Sequence, residues 1–242
     1  MTGIGTAANV LAIIAGGLCG LIFKKGLKQR FRDIIMDSLG LCTLFIGFSG
    51  AVAGMVKLGS DGNLSSYNSS VLIASLVAGS FIGEALKIEQ RLESFGEWLK
   101  EKADSGNSDS QFVTGFITAS LIVCVGAMAV IGPIEDGMNH DPSMLYAKSV
   151  LDGIIVMMLA ATYGKGVIFS ALPVGIFQGS ITVIAALAGK SVPDDVAFVL
   201  SFVGSVLVFC VGANLCLGRK FRVANMLPAL VICCLLKAYF NF

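Results

Sequence analysis

Seven carboxylate and amide side chains lie inside long apolar stretches of this chain: Asn9, Asp37, Glu84, Asp152, Gln178, Asn214 and Asn225. An ionisable group in a membrane is costly unless it meets a partner or water, so such residues are candidates for a solute or ion site. In that chemistry Asp152 or Glu84 would couple to a cation or a proton. Gln178, Asn214 and Asn9 would line the path of the solute.

Asp152 is one of the two strongest candidates because it lies about one and a half turns into an apolar stretch. Lys148 precedes it by four residues on the same helical face, so the two side chains can pair. The pair is either a structural lock or part of a gate or an ion-coupling step.

Gln178 is the other strong candidate, near the middle of an apolar stretch and about one turn past Pro173. The proline frees the carbonyl of Phe169, and Ser170 lies beside it to help satisfy the backbone. A broken helix with an amide at mid-membrane is typical of solute sites, although proline kinks also occur as plain shape.

The remaining polar residues are shallower. Glu84 lies a turn from a helix end and either faces the pathway or begins an amphipathic helix. Asp37 and Asn225 fall at predicted helix ends, where N-capping or an interfacial position explains them.

Composition places these residues in a membrane. The 242 residues are 55% hydrophobic and 14% charged, with a mean hydropathy of +0.84, which is too apolar for the surface of a soluble domain.

The net charge of +1 gives no basis for a nucleic-acid partner. All seven cysteines lie in apolar stretches without a CxxC pair, and the chain has one histidine. We therefore expect no metal, no cofactor and no enzymatic activity.

Eight apolar segments are long enough to cross a bilayer. We place segments 1 to 8 at 5–23, 37–56, 70–87, 112–132, 147–163, 166–189, 195–217 and 223–239. With both termini outside, inner connections hold 13 lysines and arginines and outer ones hold four, Lys57, Lys148, Lys190 and Lys237. If segments 5 and 6 formed one crossing, Arg219, Lys220 and Arg222 would fall on the outer side, so the balance favours eight crossings. We expect the membrane to be a bacterial inner membrane.

Two halves of the chain resemble each other. Residues 9–20 (NVLAIIAGGLCG) echo 178–189 (QGSITVIAALAG), and FIGFSGAVAG from Phe45 echoes FCVGANLCLG from Phe209. The eight-helix topology inverts each pair, so we predict one membrane domain (1–242) with an all-α fold. It comprises a first repeat (5–87), a connecting helix pair (112–163) and a second, inverted repeat (166–239). Shared composition is the competing explanation, and segment 4 resembles segment 7 as closely as segment 2 does. Asn9 pairs with Gln178 in the repeat but lies nearer the outer surface by these bounds, so either segment 1 begins later than residue 5 or the two residues differ in depth.

Residues 88–110 are expected to form a cytoplasmic amphipathic helix and a loop. Ala85, Ile88, Leu92, Phe95 and Leu99 follow three-four spacing, and the helix is expected to continue from segment 3 along the membrane surface, anchored by Trp98.

Glycines recur at four-residue steps that let helices approach closely in lipid. The pairs are Gly16 with Gly20, Gly50 with Gly54, Gly79 with Gly83 and Gly175 with Gly179. They indicate either packing alone or seams on which a conformational change runs, and they would suit a homodimer.

Several strings together resemble one family across nearly the whole chain: Gly5-Thr6 with Asn9, GEALKIE from Gly83, TASLIVCVGAMA from Thr118, KSVLDG from Lys148, SALP from Ser170 with Gln178-Gly179, and NMLPAL from Asn225. The chain resembles bacterial inner-membrane proteins known as domain of unknown function 554. The resemblance implies a multi-spanning membrane protein and supplies no activity or substrate.

The sequence thus predicts a small transporter or channel for an ion or small polar solute, with the lipid bilayer as its surroundings. The alternative is a membrane-embedded interaction or sensor protein, in which the segment Glu84 to Lys102 receives a partner or reports on lipid packing.

Overall fold

The structure, a computed structural model, describes residues 2–24, 28–58, 64–103, 111–124, 128–188, 193–218 and 221–240. The loop expected at the end of 88–110 falls mostly at 104–110 and lies outside the described residues. Lys25, Lys190, Arg219 and Lys220, which enter the lysine and arginine balance, also lie outside them.

Within these ranges the chain is helical apart from one small hairpin. The helices are Ile4–Lys24 (α1), Gln29–Met55 (α2), Ser69–Ala85 (α3), Ile88–Ala103 (α4), Gln111–Cys124 (α5), Met128–Met138 (α6), Ser143–Tyr163 (α7), Ala171–Ala188 (α8), Asp194–Leu217 (α9), Val223–Met226 (α10) and Pro228–Phe240 (α11). A 3-10 helix, Lys165–Ser170, precedes α8. The strands Val56–Leu58 (β1) and Leu64–Ser66 (β2) pair antiparallel, which the all-α prediction did not include.

Five described helices are long and apolar enough to cross a membrane, and the number rises to seven if each of two bent helix pairs is one span. The five correspond to segments 1, 2, 5, 6 and 7. Segment 8 appears as a shorter apolar stretch, Val223–Ala238. The chain is therefore a helical membrane protein, and the count of eight crossings stays a prediction.

Segments 3 and 4 differ from the sequence prediction. Segment 4 is two helices, α5 and α6, related by a 58° bend, and α6 continues through Pro133 to Met138. Segment 3 does not continue into the amphipathic helix, because α3 ends at Ala85 and Lys87 adopts a left-handed conformation (φ 52°) before α4 begins. Part of the apolar face of α4 packs on α5, where buried Leu99 contacts Phe112 and Phe116.

Segments 2 and 6 also differ in their first turns. Because α2 begins at Gln29, Asp37 lies inside the helix and is not an N-cap as expected. In segment 6 the helix changes from 3-10 to α geometry at Ala171, two residues before Pro173. Pro173 therefore occupies the first turn of α8, where a missing N–H leaves no hydrogen bond unmade, and it does not break the helix.

The first of two compact units contains α1, the start of α2 as far as Leu39, α4 from Arg91, and α5 to α8. Its core is a cluster of buried aliphatic side chains from α1, α5, α7 and α8, including Ile13, Val123, Leu159 and Val174. Helices α1 and α7 run parallel and close together, since a Cβ on Gly16 would overlap the carbonyl oxygen of Gly153 and one on Gly20 would overlap that of Met157.

The second unit contains α2 from Gly40, the hairpin, α3, and α9 to α11. Helix α3 buries Val71, Ser75, Gly79 and Gly83, which lie four residues apart on one face. Each unit thus holds helices from both predicted repeats.

Helices that correspond in the two predicted repeats pack against each other antiparallel. In the second unit, Gly40 of α2 contacts Cys216 of α9, and Gly54 contacts Phe202. Gly79 of α3 contacts Ala229 of α11, and Gly83 contacts Asn225 of α10. In the first unit α1 and α8 also run in opposite directions, as the contacts of Asn9 and Thr6 show below.

Candidate functional site

The candidate site is a buried cluster of four polar side chains in the first unit, on α1, α7 and α8. Its charged members are Lys148 and Asp152 on α7, as their spacing predicts. Lys148 Nζ lies 2.9 Å from Asp152 Oδ1 and 2.7 Å from Oδ2, and the two side chains are only 8% and 5% exposed. The ammonium therefore contacts both carboxylate oxygens in a site shielded from solvent.

Asn9 connects this ion pair to Gln178. Its Nδ2 donates to Asp152 Oδ2 at 3.0 Å and to Gln178 Oε1 at 3.1 Å, and both amide residues are 0% exposed. Asn9 and Gln178 therefore do not differ in depth, and α1 does not begin later than predicted, since its first residue is Ile4. Helices α1 and α8 cross at these two residues, so the amides lie at the same level.

The charge of Asp152 fixes the orientation of both amides. An ionised carboxylate only accepts hydrogen bonds, so Asn9 must turn its NH2 group towards Asp152. The second hydrogen of that NH2 group needs an acceptor, which requires Gln178 to present Oε1. Asn9 Oδ1 and Gln178 Nε2 are left without a hydrogen-bond partner among the described residues, although both are buried. The cluster thus contains one unused acceptor and one unused donor, which are costly to bury.

Further polar groups continue this cluster towards the N-terminus of α1. Thr6 precedes Asn9 by about one turn of α1, and its Oγ1 lies 3.2 Å from Thr182 Oγ1, one turn after Gln178 on α8. Helices α1 and α8 therefore run antiparallel. At the end of α1 the Gly5 N–H donates to Asp136 Oδ2 of α6 at 3.1 Å. Asp136 is fully buried, and its Oδ1 has no partner in the described part of the chain.

Sequence reasoning missed Thr6, Thr182 and Asp136 as members of this cluster. Asp136 was left beyond segment 4, which was expected to end at residue 132. The buried positions Ala129, Gly132, Pro133 and Asp136 share one face of α6, and this three-four spacing was a readable signal that the helix continues. The two threonines gave no such signal, because an isolated threonine is common in membrane helices.

Ser170 lies at the end of the 3-10 helix and is fully buried, and its Oγ has no hydrogen-bond partner within the described residues. The expectation that it satisfies the backbone near Pro173 is therefore wrong. The helix begins at Ala171 without a broken α-helical turn, so Pro173 leaves no carbonyl for Ser170 to satisfy.

Glu84 and Asn214 belong to the second unit and are not part of the cluster. Glu84 accepts from Arg222 Nη1 at 2.9 Å and from Asn225 Nδ2 at 2.7 Å, but its side chain is 56% exposed. Asn225 Oδ1 accepts from the backbone N–H of Glu89 at 2.7 Å and so caps the start of α4.

Asn214 joins the end of α9 to the residues before α10. Its Nδ2 donates to the Phe221 carbonyl, and its Oδ1 accepts from the Phe221 N–H, both at 2.8 Å. This reciprocal pair fixes a backbone connection.

Most of the glycine pairs lie at close helix contacts. Gly16 and Gly20 face α7, Gly50 and Gly54 face Ser205 and Phe202 of α9, and Gly79 and Gly83 face α10 and α11. The fourth pair differs, because a Cβ on Gly175 would approach only Val10, at 3.2 Å, and one on Gly179 would meet no atom within 4 Å.

The membrane-spanning helices and the buried polar cluster together define a polytopic helical membrane protein with a candidate solute or ion site in its first unit. The chain belongs to the family described as "Protein of unknown function (DUF554)", whose model matches residues 4–238, and this confirms the resemblance drawn from the sequence.

Two relatives cover almost the full length of the chain. The "Uncharacterized membrane protein YdfK" of Bacillus subtilis (strain 168) is 30% identical over 228 residues, which are 94% of this chain and 93% of the relative. The "Uncharacterized protein YqgA" of Escherichia coli (strain K12) is 27% identical over 232 residues, 95% and 94% of the two chains. No solved structure matches the chain.

Proposed function

We propose that this protein is a small transporter or channel for an ion or small polar solute in a bacterial inner membrane. The observation that carries the proposal is the buried cluster of Asn9, Lys148, Asp152 and Gln178. A cluster that served only to lock helices together would be expected to satisfy all its polar atoms, because each unpaired one lowers stability. Here Asn9 Oδ1 and Gln178 Nε2 find no hydrogen-bond partner in the described ranges of the chain.

The antiparallel helix contacts support an architecture of two inverted repeats. The sequence echo places Phe45 opposite Phe209 and therefore Gly47 opposite Val211. In the structure a Cβ on Gly47 would overlap the backbone N of Phe209, and a Cβ on Gly212 would overlap the backbone N of Leu44. The second contact lies within one residue of the Val211–Phe45 pair that a twofold axis between equivalent helices would generate from the first.

The same logic applies at the candidate site. Asn9 and Gln178 are equivalent in the predicted repeat, and they are in direct contact. Equivalent residues meet where they lie on a pseudo-twofold axis, and transporters with inverted repeats bind their solutes near that axis at the bilayer midplane.

The contact directions also agree with the topology that the lysine and arginine balance favours. In that topology segments 1 and 5 cross in the same direction, and segment 6 crosses in the opposite one. Helices α1 and α7 are parallel and α1 and α8 are antiparallel, as this arrangement requires. We therefore propose eight crossings with both termini on the outer side.

Of the two candidate coupling residues, Asp152 is favoured over Glu84. Asp152 is buried beside the unused amide atoms, whereas Glu84 is more than half exposed and holds Arg222 and Asn225. Lys148 would hold the charge of Asp152 until a cation or proton displaces it, so the pair would act as a gate or coupling element.

Flux through purified protein in liposomes tests the proposal. A panel of ions and small polar solutes should show flux that Gln178→Leu and Asp152→Asn abolish. Ser180→Leu is the matched control for the first variant, because Ser180 lies on the exposed side of the same helix, and Asp195→Asn is the control for the second. No flux across the panel, or flux that all four variants leave unchanged, would sink the proposal.

One observation favours the alternative of an interaction or sensor protein. On α4 the exposed rings of Phe95 and Trp98 stack with centroids 5.8 Å apart, which suits a membrane surface or a partner. Because Leu99 and Phe95 both pack on Phe116 of α5, Trp98→Ser alone is a cleaner test than a deletion. If this variant removes a cellular phenotype that Gln178→Leu leaves intact, the alternative replaces transport.

A further inference from the structure

We propose that the solute bound at the cluster is a small neutral molecule with an adjacent hydrogen-bond donor and acceptor, of the primary carboxamide class. The inference rests on the proposed transport function and names its substrate class. The solute carbonyl would accept from Gln178 Nε2, and the solute N–H would donate to Asn9 Oδ1.

The first step is the chemistry of the two unused atoms. Asn9 Oδ1 and Gln178 Nε2 are an acceptor and a donor on two amides whose other ends are 3.1 Å apart. Two amides that face each other squarely exchange two hydrogen bonds, one in each direction. Here only the bond from Asn9 Nδ2 to Gln178 Oε1 is made, and the other hydrogen of that NH2 group is donated to Asp152. The bond from Gln178 Nε2 to Asn9 Oδ1 is not made, so this donor and this acceptor are the groups that an amide of the solute would complement.

The second step is the charge of the site. Lys148 and Asp152 neutralise each other, and Asp152 already receives Lys148 on both oxygens and Asn9 on one. A cation bound as the solute would have to displace Lys148 from Asp152, a step that the proposed function assigns to the coupling cation or proton. An anion bound as the solute would meet the carboxylate of Asp152 beside Lys148. A neutral solute needs neither displacement nor a counter-charge, so its desolvation cost is the smallest.

The third step is selectivity. A site that offers a fixed buried donor and a fixed buried acceptor discriminates strongly against solutes that lack either partner, because a protein group then stays unpaired. Replacing the N–H groups of a carboxamide by methyl groups should therefore abolish recognition while preserving the carbonyl.

Uptake of malonamide into proteoliposomes tests this inference. Malonamide carries two primary carboxamides, and its tetramethyl derivative keeps both carbonyls but has no N–H. We expect protein-dependent malonamide uptake above that of empty liposomes and no protein-dependent uptake of the derivative. Gln178→Met, which removes the donor from a side chain of similar length, should lower malonamide uptake about tenfold, whereas Ser180→Leu should leave it unchanged.

A binding measurement covers the case in which Gln178→Met folds poorly. Malonamide should raise the thermal midpoint of the wild-type protein in detergent. It should not raise that of Gln178→Glu, which keeps an oxygen for Asn9 and loses the amide donor. An equal rise for both proteins would overturn the inference, as would a rise with the tetramethyl derivative.

The outcomes separate the inference from the proposed function. Sodium, potassium or chloride flux that depends on Gln178, without malonamide uptake, would overturn the carboxamide class and leave the transporter standing. The absence of protein-dependent flux for malonamide and for all three ions would remove both. Malonamide uptake that neither Gln178 variant changes would show that water or a structural contact completes the two amides, and the inference would fall.

Discussion

Removing the two charges of the buried pair singly and together should give strongly non-additive losses of stability. The variants are Lys148→Met, Asp152→Asn and the double variant. Either single change leaves an uncompensated charge or an unpaired group in a site where the side chains are 8% and 5% exposed. Breaking a buried ion pair by removing one partner costs about 3–5 kcal/mol.

The double variant should lose much less stability than the two single variants lose together. It leaves no unpaired charge, and the amide that replaces the Asp152 carboxylate can still accept from Asn9 through its oxygen. The remaining cost is that of a weaker neutral hydrogen bond and imperfect packing, about 1–2 kcal/mol. The coupling free energy between the two sites is then about 4–9 kcal/mol, well above the roughly 0.5–3 kcal/mol typical of residues in contact.

Unfolding in dodecyl maltoside by added dodecyl sulfate provides the measurement. The chain has one tryptophan, Trp98, which belongs to the first unit, so its fluorescence reports on the unit that contains the pair. Circular dichroism follows both units, and Asp195→Asn at an exposed position is the control. Additive losses in the double variant would refute a buried, mutually dependent pair.

Four further outcomes follow from the structure. Gly16→Ala should destabilise the protein by about 1–3 kcal/mol in the same unfolding assay, because its Cβ would overlap a carbonyl oxygen of α7, whereas Gly179→Ala, with open space, should be neutral or slightly stabilising. Asn225→Ala should cost about 1–2 kcal/mol through loss of the α4 cap, measured by circular dichroism. Arg222→Ala should cost less than about 1 kcal/mol, since its pair with a glutamate is exposed, and a larger loss would contradict this. The hydrogen bonds from the Ser143 side chain and backbone lower the pKa of Asp141, so Asp141→Ala should lower the thermal midpoint at pH 7. The difference in thermal midpoint between wild type and variant should disappear as the pH falls through the lowered pKa, because the wild-type carboxylate is then protonated.

Much of the fold could be predicted from hydropathy. Five of the eight predicted segments are candidate spans within a few residues, apart from the early start of α2, because runs of apolar residues specify a membrane helix locally. Breaks within helices were harder to predict. The left-handed Lys87 has no glycine or proline beside it, so packing determines its conformation. Gly126 does lie between α5 and α6, but a single glycine in so glycine-rich a chain did not predict the bend.

The site was partly predictable because hydropathy also reveals polar residues inside apolar segments. Asp152 with Lys148 and Gln178 stood out as polar residues in apolar surroundings, and the four-residue spacing of the first two predicted their pairing. Asp136 was missed because the helix that buries it was thought to end earlier. Glu84 and Asn214 were also candidates from the sequence, yet the structure places them in the other unit, in contacts with Arg222, Asn225 and Phe221.

The sequence alone determined that this is a helical membrane protein of the DUF554 family and which polar side chains its helices carry, since hydropathy and spacing act along the chain. Only the tertiary structure decided that Asn9 and Gln178, 169 residues apart, meet at one level. Their relative depth depends on how far α1 and α8 slide past each other, and the contacts of Thr6 with Thr182 and of Val10 with Gly175 accompany this register. The contact of Gly16 with Gly153 brings α7 close to α1 and Asp152 to Asn9, which fixes which amide atoms remain free to bind a solute.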